Sequence, residues 1–299
     1  MPEAVIVDAV RTPIGRAFKG SLAQQRPDEM GAYVVDRLLE RNPDVDPGSI
    51  EDVLRDDTKL VCLMRANNEV GTLQPVEEVA EVCRARAVPV LCDAVQAVGK
   101  IPIAVDELAV DFLSLGGHKF HGPLGSAALW VRDGAAIEPL LVGAPQEGGR
   151  RASTENVPAI VGLGKAAELA AAELGDRHRL MLGLRERFEH GLAAIPDAVV
   201  HAAGSPRLPH TTHVAFLGLS GHELMLRLAE ADYAVSIGAA CKSGRPQPSP
   251  VLLDMGISEE EALASLRVSF GIFNTATEVD AFLEGLASEV RGLRKGVPV

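Results

Sequence analysis

Basic residues are scarce in this chain: 29 lysines and arginines face 41 aspartates and glutamates, a formal net charge of −12. Binding a nucleic-acid backbone needs a cationic face that displaces counterions, so a nucleic-acid partner is not expected. A local positive pocket for a small anion remains compatible with that balance. No run of 18 apolar residues occurs, so neither a membrane span nor a membrane partner is expected. The opening run, MPEAVIVDAVRTP, places Glu3 and Asp8 around a short apolar stretch and does not read as a secretory signal. Cysteine is sparse as well. Cys62, Cys83, Cys92 and Cys241 show no C-x-x-C spacing, so no resident metal is expected. Without an export signal the expected location is the cytoplasm, with free thiols. Three of the four fall in apolar strand or helix patterns and read as inert core. Cys241 does not. There is no internal repeat and no low-complexity segment.

What is present is an alternation of short apolar runs with amphipathic ones. The pattern predicts a strand over 4–8, a helix over 28–39 and a short helix over 49–54. Next come a strand over 60–64, a helix over 75–86 opened by proline, and strands over 88–92, 112–115 and 127–131. Val76, Val79, Ala80 and Cys83 form the apolar face of the 75–86 helix. Short all-apolar strands separated by helices predict parallel βαβ units covered on both faces. Long helices follow over 156–174 and 177–194. From about residue 198 the pattern turns mixed, with elements over 213–217, 221–230, 234–237, 259–263 and 278–293. The fold class expected is α/β: a parallel-sheet large domain followed by a smaller C-terminal α+β domain.

Four residues stand where chemistry is done. Lys119 follows an apolar strand in Ser-Leu-Gly-Gly-His-Lys-Phe-His-Gly-Pro. That is the carboxyl end of a parallel sheet, where open α/β folds bind ligands. A partly desolvated lysine there can form a Schiff base. Asp93 ends another strand in Leu-Cys-Asp-Ala-Val-Gln. An acid against a pyridine nitrogen keeps a pyridoxal ring electron-withdrawing, and Gln96 can reach the ring oxygen from the same turn. Cys241 lies in a small, polar, Gly- and Pro-rich loop beside Lys242 and Arg245, which favour its thiolate. Arg267 interrupts an apolar strand and suits a substrate carboxylate. Each has a plainer reading alone: a surface lysine, a helix-capping aspartate, a stray loop cysteine, an internal salt bridge.

Five ordered segments carry a family resemblance: Ala-Asn-Asn-Glu-Val-Gly-Thr-Leu-Gln-Pro (66–75), Asp-Ala-Val-Gln-Ala-Val-Gly-Lys (93–100), Gly-His-Lys-Phe-His-Gly-Pro (117–123), Arg-Arg-Ala-Ser-Thr-Glu-Asn-Val-Pro (150–158) and Ala-Cys-Lys-Ser-Gly (240–244). Residues 55–299 closely resemble the C-terminal part of cysteine desulfurases, pyridoxal-phosphate (PLP) enzymes of the class V aminotransferase superfamily. The resemblance implies PLP as cofactor and a fold-type I architecture. It makes Lys119 the cofactor lysine with His118 beside it, Asp93 the partner of the ring nitrogen, and Gln96 that of the ring oxygen. It places Asn68 against cofactor and substrate, Arg267 on the L-cysteine carboxylate, and Thr154 at the phosphate of a neighbouring subunit, which implies a homodimer. Cys241 takes the substrate sulfur as a persulfide, leaves L-alanine, and serves transiently as an iron–sulfur ligand. A sulfur-acceptor protein such as an iron–sulfur scaffold is the implied partner.

The sequence departs from the family in three places, one of them the Gly-rich segment before Arg150, which reads Val-Gly-Ala-Pro-Gln-Glu-Gly-Gly. The family's Gly-rich threonine loop and its ring-stacking histidine, both in its N-terminal part, have no counterpart here. The family serine two residues before His-Lys is Gly116. Phosphate anchoring supplies much of PLP affinity, so the expected desulfurase is an impaired one. Residues 1–54 instead resemble the N terminus of a thiolase, through Glu-Ala-Val-Ile-Val-Asp-Ala-Val-Arg-Thr-Pro-Ile-Gly-Arg (3–16). The expected organisation is therefore a thiolase-like fragment (1–54), a truncated PLP-binding large domain (55–197) and a small domain carrying the Cys241 loop (198–299). The rival expectations are a non-catalytic remnant of a fused gene and, following the leader, acyl-CoA transfer.

Overall fold

The structure is a computed structural model that describes residues 47–237 and 247–296. The strand expected over 4–8, the helix expected over 28–39 and the Cys241 loop lie outside the described residues.

The described chain opens with α1 (Pro47–Val53), β1 (Val61–Met64), α2 (Val76–Ala85), β2 (Val90–Asp93), α3 (Val105–Leu108), β3 (Phe112–Gly116) and β4 (Ala127–Val131). Two long helices follow, α4 (Val157–Ala172) and α5 (Leu174–Leu192). The remainder is β5 (Ala198–Val200), β6 (Thr211–Phe216), α6 (Gly221–Glu230), α7 (Pro250–Asp254), α8 (Glu259–Leu263), β7 (Ser265–Ser269) and α9 (Ala276–Arg294).

The first sheet has the order β1-β2-β3-β4. Strands β1, β2 and β3 run parallel, with Met64 opposite Asp93 and Asp93 opposite Ser114. Parallel neighbours need a crossover, and α2 supplies the one between β1 and β2. The four side chains expected on the apolar face of α2 are all buried, none above 1% exposure. They pack against Leu63, Val90, Cys92 and Leu113 in one core.

Two expectations fail here. Strand β4 pairs antiparallel with β3, Gly116 opposite Ala127. The connection between those residues is too short for a crossover helix, so the chain can only turn back. The first three residues of β4 are also exposed, so the sheet is not covered on both faces throughout. Residues 234–237 are not a strand but a single bridge, Ser236 with Arg267. Two short backbone bonds between those residues (3.1 and 2.6 Å) make the whole of that pairing.

The second sheet is antiparallel, β5-β6-β7, and α5, α6 and α9 cover one core with it. Helix α9 starts at a capping box in which Thr275 and Glu278 satisfy each other's backbone N–H groups. Phe188 of α5 is fully buried at the centre, 5.6 Å from the rings of both Phe270 and Phe282. Phe188→Ala is expected to cost about 3–5 kcal/mol, read as a lower denaturant midpoint at unchanged slope. A loss under about 1 kcal/mol would mean this core is not packed as described.

Candidate active site

Because β2 and β3 are parallel neighbours, their carboxyl ends open the same way and their following turns lie side by side. The first turn carries Gln96 and closes at Lys100; the second is a 3-10 turn, Gly117–Phe120, holding His118 and Lys119. Close packing fixes the second turn. A Cβ added at Gly117 would lie 2.4 Å from Ser126 Oγ and 2.9 Å from Leu163, so only glycine fits there. The Gly117 N–H donates to Ser126 O at 2.8 Å, and its carbonyl accepts from Gly122 N–H at 2.8 Å.

Above the turns lies a cavity of about 280 Å³. It brings together five of the residues expected from sequence: Asn68, Gln96, His118, Lys119 and Arg267. They arrive from three parts of the chain, the loop after β1, the turns after β2 and β3, and strand β7. Among the described residues, the cavity wall carries Lys100, Lys119, Arg177 and Arg267 and no carboxylate side chain. On a chain of charge −12 this is a local site for an anion.

Arg267 donates from Nη1 to the Asn68 carbonyl at 2.8 Å, which ties the two expected substrate-binding residues together. Burial pushes its pKa down, and the nearby Glu69 opposes that. Glu69 is itself buried, so its carboxyl is pushed up, against the pull of its hydrogen bond from Ser249 (2.6 Å) and the charge of Arg267.

Three expected residues do not line the cavity. Asp93 accepts from the Val95 N–H at 2.8 Å. Burial raises its pKa, opposed by that bond and by one to Ser114. Gly116 is buried behind the His118 ring, and Thr154 is exposed, away from the cavity of its own chain. Cys241 lies outside the described residues. The other thiols are unreactive for a physical reason. Burial first, and a neighbouring aspartate second, push Cys62 and Cys83 up to about 11 and Cys92 up to about 12. Among the described residues no cluster of three metal-ligating side chains occurs, and no helix is long and apolar enough to cross a membrane.

Sequence reasoning missed Lys100 and His210. Lys100 closes the Asp-Ala-Val-Gln-Ala-Val-Gly-Lys segment, and a lysine held in a Gly-Lys turn between two site motifs was the available signal. It lies in the cavity wall, its pKa pushed down to about 8 by burial and then by the charge of Lys119. His210 precedes β6 and also lines the cavity, with its Nδ1 buried and unpartnered. Burial, then the charges of Lys100, Arg267, Arg185 and Lys119, push it down to about 3. No sequence pattern marks it.

The family profile described as Aminotransferase class-V matches residues 20–282. A cysteine desulfurase IscS of Methanosarcina thermophila is 44% identical over 255 residues, covering 85% of this chain and 63% of that protein. Cysteine desulfurase IscS 1 of Archaeoglobus fulgidus is 38% identical over 255 residues, covering 85% of this chain and 66% of that protein. This chain thus spans slightly less than two thirds of their length. Among solved structures, a NifS-like protein superposes with a TM-score of 0.78 at 34% identity, covering 88% of this chain and 71% of the other. A NifS-like protein from Rickettsia africae superposes with a TM-score of 0.77 at 30% identity, covering 84% of this chain and 68% of the other.

Proposed function

Because the chain belongs to the class V aminotransferase family, we propose that it is a PLP-dependent cysteine desulfurase that converts L-cysteine to L-alanine and carries the sulfur on Cys241. One observation carries the reading. Lys119, His118, Gln96, Asn68 and Arg267, picked from separate motifs, line one cationic cavity. The donor set fits the cofactor: an amine for the aldehyde, Gln96 for the ring oxygen, and Arg267 for a substrate carboxylate. Asp93, the last residue of β2 and three before Gln96, would supply the acid for the ring nitrogen.

PLP, when bound, supplies an electron sink for the bonds at the substrate's Cα. The chain supplies the rest. Arg267 binds the cysteine carboxylate through paired N–H donors, and Asn68, tied to it, orients the substrate. Asp93 holds a proton at the ring nitrogen. Lys119 would hold the cofactor, and its free amine would move protons at the substrate carbon. The Cys241 thiolate attacks the substrate sulfur, the carbon–sulfur bond breaks with its electron pair left on the substrate carbon, which takes up a proton on the way to L-alanine, and the sulfur stays on Cys241 as a persulfide. An acceptor protein such as an iron–sulfur scaffold then takes it, in the cytoplasm.

Thr154 supports a homodimer reading, since it is exposed and off its own cavity and can serve a neighbouring subunit's phosphate. Leu140, Val142, Val157 and Val161, flanking it in sequence, are each more than half exposed, as an interface would require. In the same reading, residues 55–197 carry the cofactor lysine and residues 198–299 carry Arg267 and Cys241.

The test is cysteine-dependent formation of alanine and, with a thiol reductant to release the persulfide sulfur, of sulfide after PLP is added. Cys241→Ser is expected to abolish sulfide release with the cofactor's visible absorbance retained; undiminished release would remove Cys241 as the sulfur acceptor. A wild-type protein that acquires no absorbance with PLP would leave a non-catalytic remnant. Gly116→Ser bears on the phosphate end. The backbone there is extended (φ −118°, ψ 119°), and an added Cβ meets nothing closer than 3.4 Å. A hydroxyl bonded to a charged phosphate is expected to tighten PLP binding about 10-fold or more in an absorbance titration. An unchanged affinity would show that the phosphate does not lie beside residue 116.

A further inference from the structure

Lys100 is only 8% exposed. Its Nζ donates to the carbonyl of Gln96 and to the carbonyl of Lys119, each at 3.1 Å. Its own carbonyl accepts from the His178 Nδ1–H of α5 at 3.0 Å. Gly99 beside it has φ +76°, and a Cβ there would come within 2.8 Å of Phe120 Cβ, so this backbone already lies hard against the Lys119 turn. Among the described residues, the one charge that acts appreciably on Lys100 is that of Lys119, a repulsive one, and none of their ion pairs includes it. Arg177, across the cavity, is answered by Glu173 at 2.9 Å; among the described residues Lys100 has no such answer. A buried ammonium without a counter-ion is costly, and an apolar side chain of similar length would fill the space more cheaply. What an apolar chain cannot do is bridge two carbonyls.

We propose that Lys100 is a positioning residue: its ammonium ties the Gln96 carbonyl to the Lys119 carbonyl and holds those two cofactor-facing side chains at a fixed separation across the cavity. The consequence for PLP rests on the function proposed above, but the tie belongs to the cofactor-free chain and can be measured there. Asn68 and Arg267 reach the site from other backbone segments, the loop after β1 and strand β7, so loss of the tie moves the Gln96 and Lys119 turns relative to one another rather than dismantling the cavity.

The test compares wild type with Lys100→Met and Lys100→Arg. In cofactor-free protein, Lys100→Met is expected to speed amide exchange at Gly117 and Gly122 about tenfold, leave the β6 amides unchanged, and not lower the melting temperature. Lys100→Arg, which can still donate, restores part of the protection. In PLP titrations followed by visible absorbance, Lys100→Met binds about tenfold more weakly, in step with the exchange result. Unchanged exchange at both glycines overturns the tie. So does a lower melting temperature with exchange faster everywhere, which marks Lys100 as general structure. If borohydride reduction leaves the pyridoxyl group on Lys100 rather than Lys119, the positioning role is overturned too. A wild type without absorbance whose local exchange still depends on Lys100 supports the tie and refutes the cofactor reading instead.

Discussion

Replacing Lys119 with alanine is expected to eliminate the visible absorbance gained with PLP and all sulfide release from cysteine, with no change in thermal stability. The two halves of that expectation have separate causes. Lys119 is exposed at the rim of a 3-10 turn whose geometry is set by Gly117 and Ser126, so deleting its side chain removes no buried contact. Surface truncations of that kind stay within about 0.5 kcal/mol. The Lys119 carbonyl that accepts from Lys100 is retained in the variant. Chemistry, by contrast, has no substitute at that position, because a covalent amine cannot be replaced by a hydrogen-bond donor. Lys100 is the one other amine in the cavity wall among the described residues, and both of its bonds point to backbone carbonyls. Retained absorbance in Lys119→Ala would transfer the cofactor bond to Lys100 and refute the assignment. A parallel loss of folding would show instead that the turn depends on the side chain.

The site was legible in sequence wherever a motif fixes both a residue type and its place at a strand end. Asp93 ends β2; Gln96, His118 and Lys119 sit in the turns that follow β2 and β3, and the short apolar runs before them mark those strands. Arg267 stood out because a charge interrupts an apolar strand. The Val76, Val79, Ala80 and Cys83 face of α2 followed from helical spacing, and all four are buried. What was illegible depends on pairing partners, which periodicity does not record. An apolar run reads alike whether its neighbour is parallel or antiparallel, so the reversal at β4 was missed although the short 116–127 connection was in view. Residues 234–237 were apolar enough for a strand, yet only Ser236 finds a partner. Lys100 and His210 escaped because their roles come from burial and from distant carbonyls and charges, neither of which is a property of local sequence.

Buried histidines are expected to make the protein less stable in acid, with a loss on the order of several kcal/mol between about pH 7.5 and about pH 5. His213 of β6 is fully buried, with neither ring nitrogen hydrogen-bonded, and its ring centre lies 5.2 Å from that of His201. Burial pushes His201 down to about 4 and His213 down to about 3, the latter helped by the charges of His201 and Arg267. His210 is likewise held near 3 among the cavity cations. Each ordinarily titrates near 6.5. A base with a depressed folded pKa binds fewer protons folded than unfolded, so its contribution is intact above 6.5 and falls as pH drops toward the folded value. Each group then costs at most about 1.4 kcal/mol per pH unit. At about pH 5 three such groups cost roughly 6 kcal/mol, a large part of the 5–15 kcal/mol typical of a whole domain. Glu69 and Asp93 act with the opposite sign, since their raised carboxyls take up protons earlier in the folded state and offset part of the loss. His213→Leu isolates the effect. It leaves no polar group unsatisfied and keeps the volume, so it is expected to match wild type in urea midpoint at about pH 7.5 and exceed it by about 2 kcal/mol at about pH 5. Equal loss in both proteins would show that His213 takes up its proton within the fold, and the acid sensitivity would have to come from elsewhere.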